Sequence, residues 1–181
     1  LRDDAVIRQA ADTTLAVPAT EEYQAYATAH VRELIDWYRP SVLWNDIAWP
    51  PGGDLAGLFA HYYNMVPDGV VNDRWMPWNP LAGAMRFGPA RRMVDAGARK
   101  QAPRDSGLIP PEPPFYDVRT PEYTSFPDIQ RRPWECVRGM DQSFGHNRNS
   151  GAGDFIGLDD LLGLLGTVND TGGTLLLNVG P

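Results

Sequence analysis

The sequence predicts an α/β fold with parallel strands. Three observations carry this expectation. Amphipathic helices alternate with short apolar strands, two of those strands end in acidic or amide side chains, and the last one, Thr174 to Val179, is apolar apart from Asn178. An apolar run of this kind suits a strand buried on both faces, which is the situation of a parallel sheet covered by its crossover helices.

Apolar or aromatic residues at Tyr23, Tyr26, Ala27, Val31, Leu34, Ile35 and Tyr38 follow the three-and-four spacing of one helix face and predict a helix over 21–38. Thr20 caps it, Glu21 and Glu22 lie where the helix dipole favours anions, and Pro40 stops it. His30 falls on the same apolar face, as a core or boundary residue. A strand over Val42 to Asn45 follows and stops on Asp46, with a Trp-Pro-Pro-Gly-Gly loop, Trp49 to Gly53, close behind. Asp54 caps a second helix running through Asn64, with Leu55, Leu58, Phe59, Tyr62 and Tyr63 facing inward. The turn Pro67-Asp68-Gly69 leads into the strand Val70-Val71-Asn72.

From 76 to 118 the pattern breaks into a long insertion rich in Pro, Gly and Arg, with one short helix expected around Pro89 to Gln101. Trp134 to Val137 reads as another short strand. Asp159 and Asp160 open a helix bearing Leu161, Leu164, Leu165 and Val168, and Gly172-Gly173 ends it before the strand from Thr174. Helix, strand, helix, strand is the order of a barrel or a doubly wound sheet.

Composition narrows the function. The formal net charge of -7 argues against a surface that gathers phosphates, so no nucleic-acid partner is expected. No run approaches the roughly 20 apolar residues of a membrane span. A single cysteine, Cys136, cannot close an internal disulfide, and His30, His61 and His146 lack metal-ligand spacing; no metal or other cofactor is expected. Localisation is not legible in the sequence. Six tryptophans, seven tyrosines and six phenylalanines suit either a core or the C–H faces of sugars.

Chemistry is expected at the strand ends. Asp46 stands at the carboxyl end of a strand beside a loop, where a parallel α/β scaffold places its active groups, although an aspartate there also serves as a turn cap. Asp73 and Arg74 follow the strand Val70-Val71-Asn72; successive strand residues point to opposite faces, so the two are not an obvious salt bridge to each other, and on spacing alone an ordinary strand-end ion pair with other partners is favoured. Glu122 sits between Pro121 and Tyr123, surroundings that disfavour its charged form, with Glu112 and Glu135 in comparable settings.

Six stretches together carry a resemblance. They are Leu-Trp-Asn-Asp-Ile-Ala-Trp-Pro (43–50), Tyr-Tyr-Asn with Val-Val-Asn-Asp-Arg-Trp (62–64, 70–75), Thr-Pro-Glu-Tyr (120–123), Trp-Glu-x-x-x-Gly (134–139), Ser-Phe-Gly-x-Asn-Arg (143–148) and Gly-Gly-x-Leu-Leu-Leu-Asn-Val-Gly-Pro (172–181). In this order the chain resembles, from about Tyr23 to Pro181, the retaining α-L-fucosidases of glycoside hydrolase family 29. The resemblance implies a (β/α)8 TIM-like barrel. It implies Asp46 as nucleophile, Glu122 as general acid/base, and Trp44, Arg74 and Phe144 as substrate-binding residues, with fucosylated oligosaccharides or glycoconjugates as substrate. Glu112 and Glu135 are the next candidates for the acid, Glu135 rather as a structural group. His146 stands where the family usually has tyrosine.

The implied chemistry is physically coherent. A retaining glycosidase holds its two carboxyl groups roughly 5 to 5.5 Å apart. Two negative charges at that separation repel by about 3 kcal/mol at an effective dielectric near 20, so one group must hold its proton.

A closed barrel needs about 250 residues, and only four or five strands are counted. The expectation is therefore an incomplete barrel over 1–181, with the N-terminal barrel half, its fucose-gripping histidines and any C-terminal β-sandwich lying outside the sequence, and with little activity for the 181 residues alone. Trp75 and Trp78, with the 76–118 insertion, are expected to border the leaving-group side. Two other readings stay open: a non-catalytic carbohydrate-binding protein with a glycosidase-like barrel, and a barrel glycosidase acting on another sugar.

Overall fold

Thr20 begins the first helix through its own side chain: its backbone is extended, and Oγ1 accepts a hydrogen bond from the Tyr23 N–H at 3.2 Å. Helix α1, Glu21–Tyr38, ends where Arg39 turns left-handed, just before Pro40. The computed structural model describes residues 20–46, 49–50, 52–75, 107–110 and 112–180, and the chain divides into two compact units, Leu1–Ala98 and Arg99–Pro181. The expected helix around Pro89 to Gln101, and Trp78, lie outside the described residues.

In the first unit, strand β1 (Val42–Leu43) follows α1. Helix α2 (Leu55–Met65) comes next, opened by Asp54, whose carboxylate accepts from the Gly57 N–H at 2.8 Å. Strand β2 (Val70–Val71) then pairs with β1 in parallel, Val42 opposite Val70 and Leu43 opposite Val71. Both strands are shorter than the sequence suggests, because a side chain takes over the ladder beyond Leu43. The Asn45 N–H donates to Asn72 Oδ1 at 2.9 Å, and Asn72 Nδ2 donates to the Asn45 carbonyl at 2.7 Å. Tyr62, fully buried on α2, places its hydroxyl within hydrogen-bond distance of the Pro40, Ser41 and Val70 carbonyls, so it joins the starts of both strands.

Ile35, Leu43, Trp49, Leu58, Phe59, Tyr62, Val71 and Trp75 form one buried cluster, with Ala27 and Val31 packed against it. The buried stripe of α1 is thus 27, 31 and 35. The neighbouring stripe is not covered: Tyr26, Leu34 and Tyr38 are 57%, 49% and 70% exposed. His30 lies on that same stripe, exposed, with its ring against Tyr26 at 4.1 Å, and so is neither a core nor a boundary residue. The three-and-four spacing marks an apolar side of the helix, and among the described residues it is the stripe of 27, 31 and 35 that joins the buried cluster. Trp75 also departs from expectation. It is 2% exposed, stacks near Trp49 and Phe59, and donates through Nε1 to the Leu43 carbonyl, which makes it a core residue rather than a leaving-group contact.

In the second unit, β3 (Glu135–Gly139) and β4 (Thr174–Asn178) are parallel, Glu135 opposite Thr174 and Gly139 opposite Asn178. Helix α3 (Leu158–Asp170) connects them after a short 3-10 turn at Ala152–Asp154. Asp159 and Asp160 occupy its first turn, and Gly172 takes the left-handed turn past its end. Phe126, Trp134, Cys136 and Val168 make the core, with Leu164 and Leu175 against it, while Leu165 remains 47% exposed. Burial pushes the Cys136 thiol above its ordinary range, which keeps it unreactive.

A third lane runs beside β3. Hydrogen bonds pass from Arg119 N–H to the Pro133 carbonyl (3.0 Å), Glu135 N–H to Arg119 (2.8 Å), Val137 N–H to Pro121 (2.9 Å) and Tyr123 N–H to Val137 (2.9 Å). This alternation is a parallel ladder. It escapes sequence reading because Pro121 and the left-handed Tyr123 interrupt the strand pattern.

No helix among the described residues is long and apolar enough to cross a membrane, and no group of three or more His, Cys, Asp or Glu among them is placed to hold a metal.

Candidate active site

Each unit brings one group of candidate residues together. In the first, the parallel pairing of β1 and β2 sets their carboxyl ends side by side, so residues 44–46 meet residues 72–74. Arg74 is buried, 8% exposed, and its Nη1 donates to Asp46 Oδ1 at 3.4 Å. Its guanidinium also lies 4.9 Å from the centre of the Trp44 ring, and its carbonyl accepts from Asn45 Nδ2 at 3.1 Å. The Asp46 side chain is 69% exposed while that of Arg74 is 7% exposed. An accessible carboxylate therefore stands over a fixed, largely desolvated cation beside a half-open indole face. Asp73, between Asn72 and Arg74 in the chain, is fully buried.

Asn45 and Asn72 are structural. Asn72, wholly buried, spends its amide on both backbone groups of Asn45, which fixes the peptide preceding Asp46. Asn72→Ala is expected to destabilise the protein by about 2–3 kcal/mol through loss of these two buried bonds. Urea denaturation of the full-length protein measures it, and a midpoint equal to wild type would contradict the assignment.

In the second unit Glu122 ends the irregular lane and is half-buried. Its N–H donates to the Leu108 carbonyl at 2.7 Å, and its own carbonyl accepts from the Leu108 N–H at 2.8 Å. Gly107, at φ 63°, makes this approach feasible, since a Cβ there would lie 2.5 Å from the Glu122 carbonyl. The backbone of Glu122 is thus gripped by Leu108 on one side, while its neighbours Pro121 and Tyr123 bond to β3 on the other.

Of the two alternative acids, Glu112 has its carboxyl engaged and Glu135 belongs to a strand. Glu112 accepts from the Tyr116 hydroxyl at 2.8 Å and from Arg119 Nη1 at 2.7 Å; the Tyr116 bond first, with Arg119, holds its carboxyl below the usual range. A group so held is a poor proton donor near neutrality. Glu135 is a ladder residue of β3, bonded through its backbone to Arg119.

Phe144 is 40% exposed and its ring lies 5.2 Å from that of Tyr123. The loop carrying it is anchored by two residues that sequence reading passed over. Asp141 is buried, and its carboxylate accepts from the Ser143 N–H at 2.8 Å and the Ser150 hydroxyl at 2.5 Å; the Ser150 bond, then the Ser143 bond, lowers its pKa. Asn178, at the end of β4, donates to the Phe144 carbonyl. The Asp-x-Ser turn is a local signal that could have marked Asp141; Asn178 has none, since its partner is 34 residues away. His146 is exposed.

Parallel strand pairs joined through helices, with an acid, an arginine and an indole ring at one pair's carboxyl ends, define the class as an α/β protein with polar groups gathered at its strand ends. The model of the alpha-L-fucosidase family matches residues 5–181. The chain belongs to the alpha-L-fucosidase family. It is 27% identical over 170 residues to an alpha-L-fucosidase of Branchiostoma floridae, which covers 90% of this chain and 31% of that protein. Among solved structures it is similar to Thermotoga maritima alpha-fucosidase in complex with a mechanism based inhibitor, at 38% identity and a TM-score of 0.65, covering 91% of this chain and 30% of that one. The same enzyme in complex with fucose gives 37% identity and a TM-score of 0.63 over 91% of this chain and 29% of that one. The chain thus spans about 30% of the length of these relatives.

Proposed function

We propose that these residues form part of the catalytic (β/α)8 barrel of a retaining α-L-fucosidase that removes terminal α-L-fucosyl groups from oligosaccharides or glycoconjugates. The observation that carries the reading is the Trp44, Asp46 and Arg74 group at one strand edge of a chain in this family. Asp46 is the nucleophile: its exposed carboxylate attacks the anomeric carbon, with Arg74 orienting it. Glu122 protonates the leaving oxygen, then as a carboxylate takes a proton from the water that hydrolyses the fucosyl–Asp46 ester. Two inversions retain configuration. Trp44 and Phe144 offer ring faces to the sugar's C–H side and methyl group.

The partial-barrel reading draws support from apolar surface that an ordinary domain covers. Trp37 and Tyr38 are each 70% exposed, and Val42, in a parallel strand, is 45% exposed. The 181 residues alone are accordingly expected to be inactive. That Thermotoga maritima alpha-fucosidase is seen with fucose and with a mechanism based inhibitor favours fucose over another sugar and catalysis over binding alone.

The test uses the full-length protein on a panel of aryl glycosides, with a mechanism-based fucosyl inhibitor followed by peptide mass spectrometry. Selective turnover of the α-L-fucoside and an adduct on the peptide containing Asp46 are the expected results. Fucose binding with neither turnover nor adduct would favour the carbohydrate-binding reading, and preference for another glycoside would reassign the substrate.

A further inference from the structure

Tyr123 holds a backbone conformation that side chains rarely adopt. Its φ is 53°, and the other non-glycine residue with positive φ among the described residues, Arg39, ends a helix, where such a turn is ordinary. Tyr123 ends no helix. A strained position of this kind persists only where its surroundings hold it, and it often adjoins a functional group. Here that neighbour is Glu122.

Four contacts hold the turn. The Tyr123 N–H donates to the Val137 carbonyl at 2.9 Å, and its phenolic oxygen accepts from the Gly139 N–H at 3.1 Å. Its ring lies 5.2 Å from Phe144 at an interplanar angle of 59°, and the Arg138 guanidinium sits 5.4 Å from the ring centre. Gly139 closes the arrangement from the far side. A Cβ at that position would stand 2.9 Å from the Tyr123 oxygen and 2.1 Å from the Ser143 carbonyl oxygen, so this strand end admits only glycine without rearrangement. One side chain therefore ties together the residue after Glu122, the carboxyl end of β3 and the loop of Phe144.

We propose that Tyr123 is a positioning residue that aims the Glu122 carboxyl at the leaving oxygen and keeps Phe144 in register with it, an inference that rests on the reading of Glu122 as acid/base. A general acid works only within hydrogen-bond reach of the atom it protonates. Without the phenolic anchor, the peptide after Glu122 is free to relax toward negative φ, and the carboxyl swings with it. Misplacement by about 1 Å can cost about 10²-fold in rate.

The experiment compares Tyr123→Phe and Tyr123→Gly with wild type in the full-length protein, using aryl α-L-fucosides of graded leaving-group ability. Tyr123→Phe keeps the ring contact and removes the acceptor for Gly139; Tyr123→Gly removes both and frees the backbone. With a poor leaving group, kcat/KM is expected to fall about 10-fold for the first and about 10²-fold for the second. With a leaving group that needs no proton, Tyr123→Phe, which keeps the ring contact with Phe144, should stay within about threefold of wild type, and Tyr123→Gly should lose clearly less than it does with the poor leaving group. Equal losses on all substrates, in step with a lowered Tm, would overturn the inference, as would no loss on any. An inactive wild type would overturn the function as well, whereas an active wild type with either of those patterns sinks only the role of Tyr123.

Discussion

Replacing Asp46 by glycine in the full-length protein is expected to reduce turnover of an aryl α-L-fucoside by about 10⁴-fold or more, because removing a covalent nucleophile removes the pathway itself rather than one of its contacts. The side chain is open to solvent and lies 3.4 Å from Arg74, so its loss should leave the fold in place. That separates a chemical effect from an unfolding one. The space vacated beside Arg74 can admit a small anion, and azide is expected to restore turnover by attacking the anomeric carbon from the carboxylate's side, giving a fucosyl azide of inverted configuration. Circular dichroism checks the fold and product analysis checks the stereochemistry. Wild-type rates in Asp46→Gly would remove this residue from the mechanism.

The second large effect concerns Glu122. Glu122→Ala is expected to lower kcat/KM by about 10² to 10⁴-fold on fucosides with poor leaving groups, the usual range for a lost general acid. On substrates whose leaving group departs unprotonated, the loss should be far smaller. Glu112→Gln provides the control: its carboxylate is committed to Tyr116 and Arg119, so its loss should not create a dependence on the leaving group. Equal losses across leaving groups for Glu122→Ala, or a leaving-group dependence in Glu112→Gln, would move the acid role away from Glu122.

Much of the fold was legible because its signals are local. The cap at Thr20, the acids that follow it and Pro40 bound α1 within the sequence itself, and the structure places the helix over Glu21–Tyr38 as those signals imply. The same holds for α2 behind Asp54, and for α3, which starts at Leu158 against an expected Asp159. Strands were legible in place but not in length. Where β1 ends depends on Asn72, which substitutes its side chain for the partner backbone 27 residues away. The lane at 119–123 was not legible at all, since proline and a left-handed tyrosine have no strand pattern and only the ladder to 133–137 makes them one.

The candidate site divides in the same way. Asp46 drew attention as an acid at a strand end, and Arg74 as a cation at another; that they meet follows from the pairing of β1 with β2. Spacing along the chain marked Tyr26, His30, Leu34 and Tyr38 as inward, yet periodicity identifies an apolar side without identifying what covers it. Trp75, expected with the 76–118 insertion to border the leaving-group side, is held in the core by Trp49, Phe59 and the Leu43 carbonyl.

The sequence by itself determined the helices, their caps, the strand positions and the ordered motifs that mark the family, because each depends on residues a few places apart. Only the tertiary structure decided that Arg74 reaches Asp46, that Glu112 is tied up in an ion pair, and that Tyr123 bridges Glu122, Gly139 and Phe144. Most of these contacts join residues 16 to 28 positions apart, and the Glu112–Arg119 pair, though only seven apart, spans a stretch with no regular structure to fix its geometry. Side-chain chemistry announces what such groups can do, but the distance between them is set by strand register and turn geometry, which no local pattern encodes.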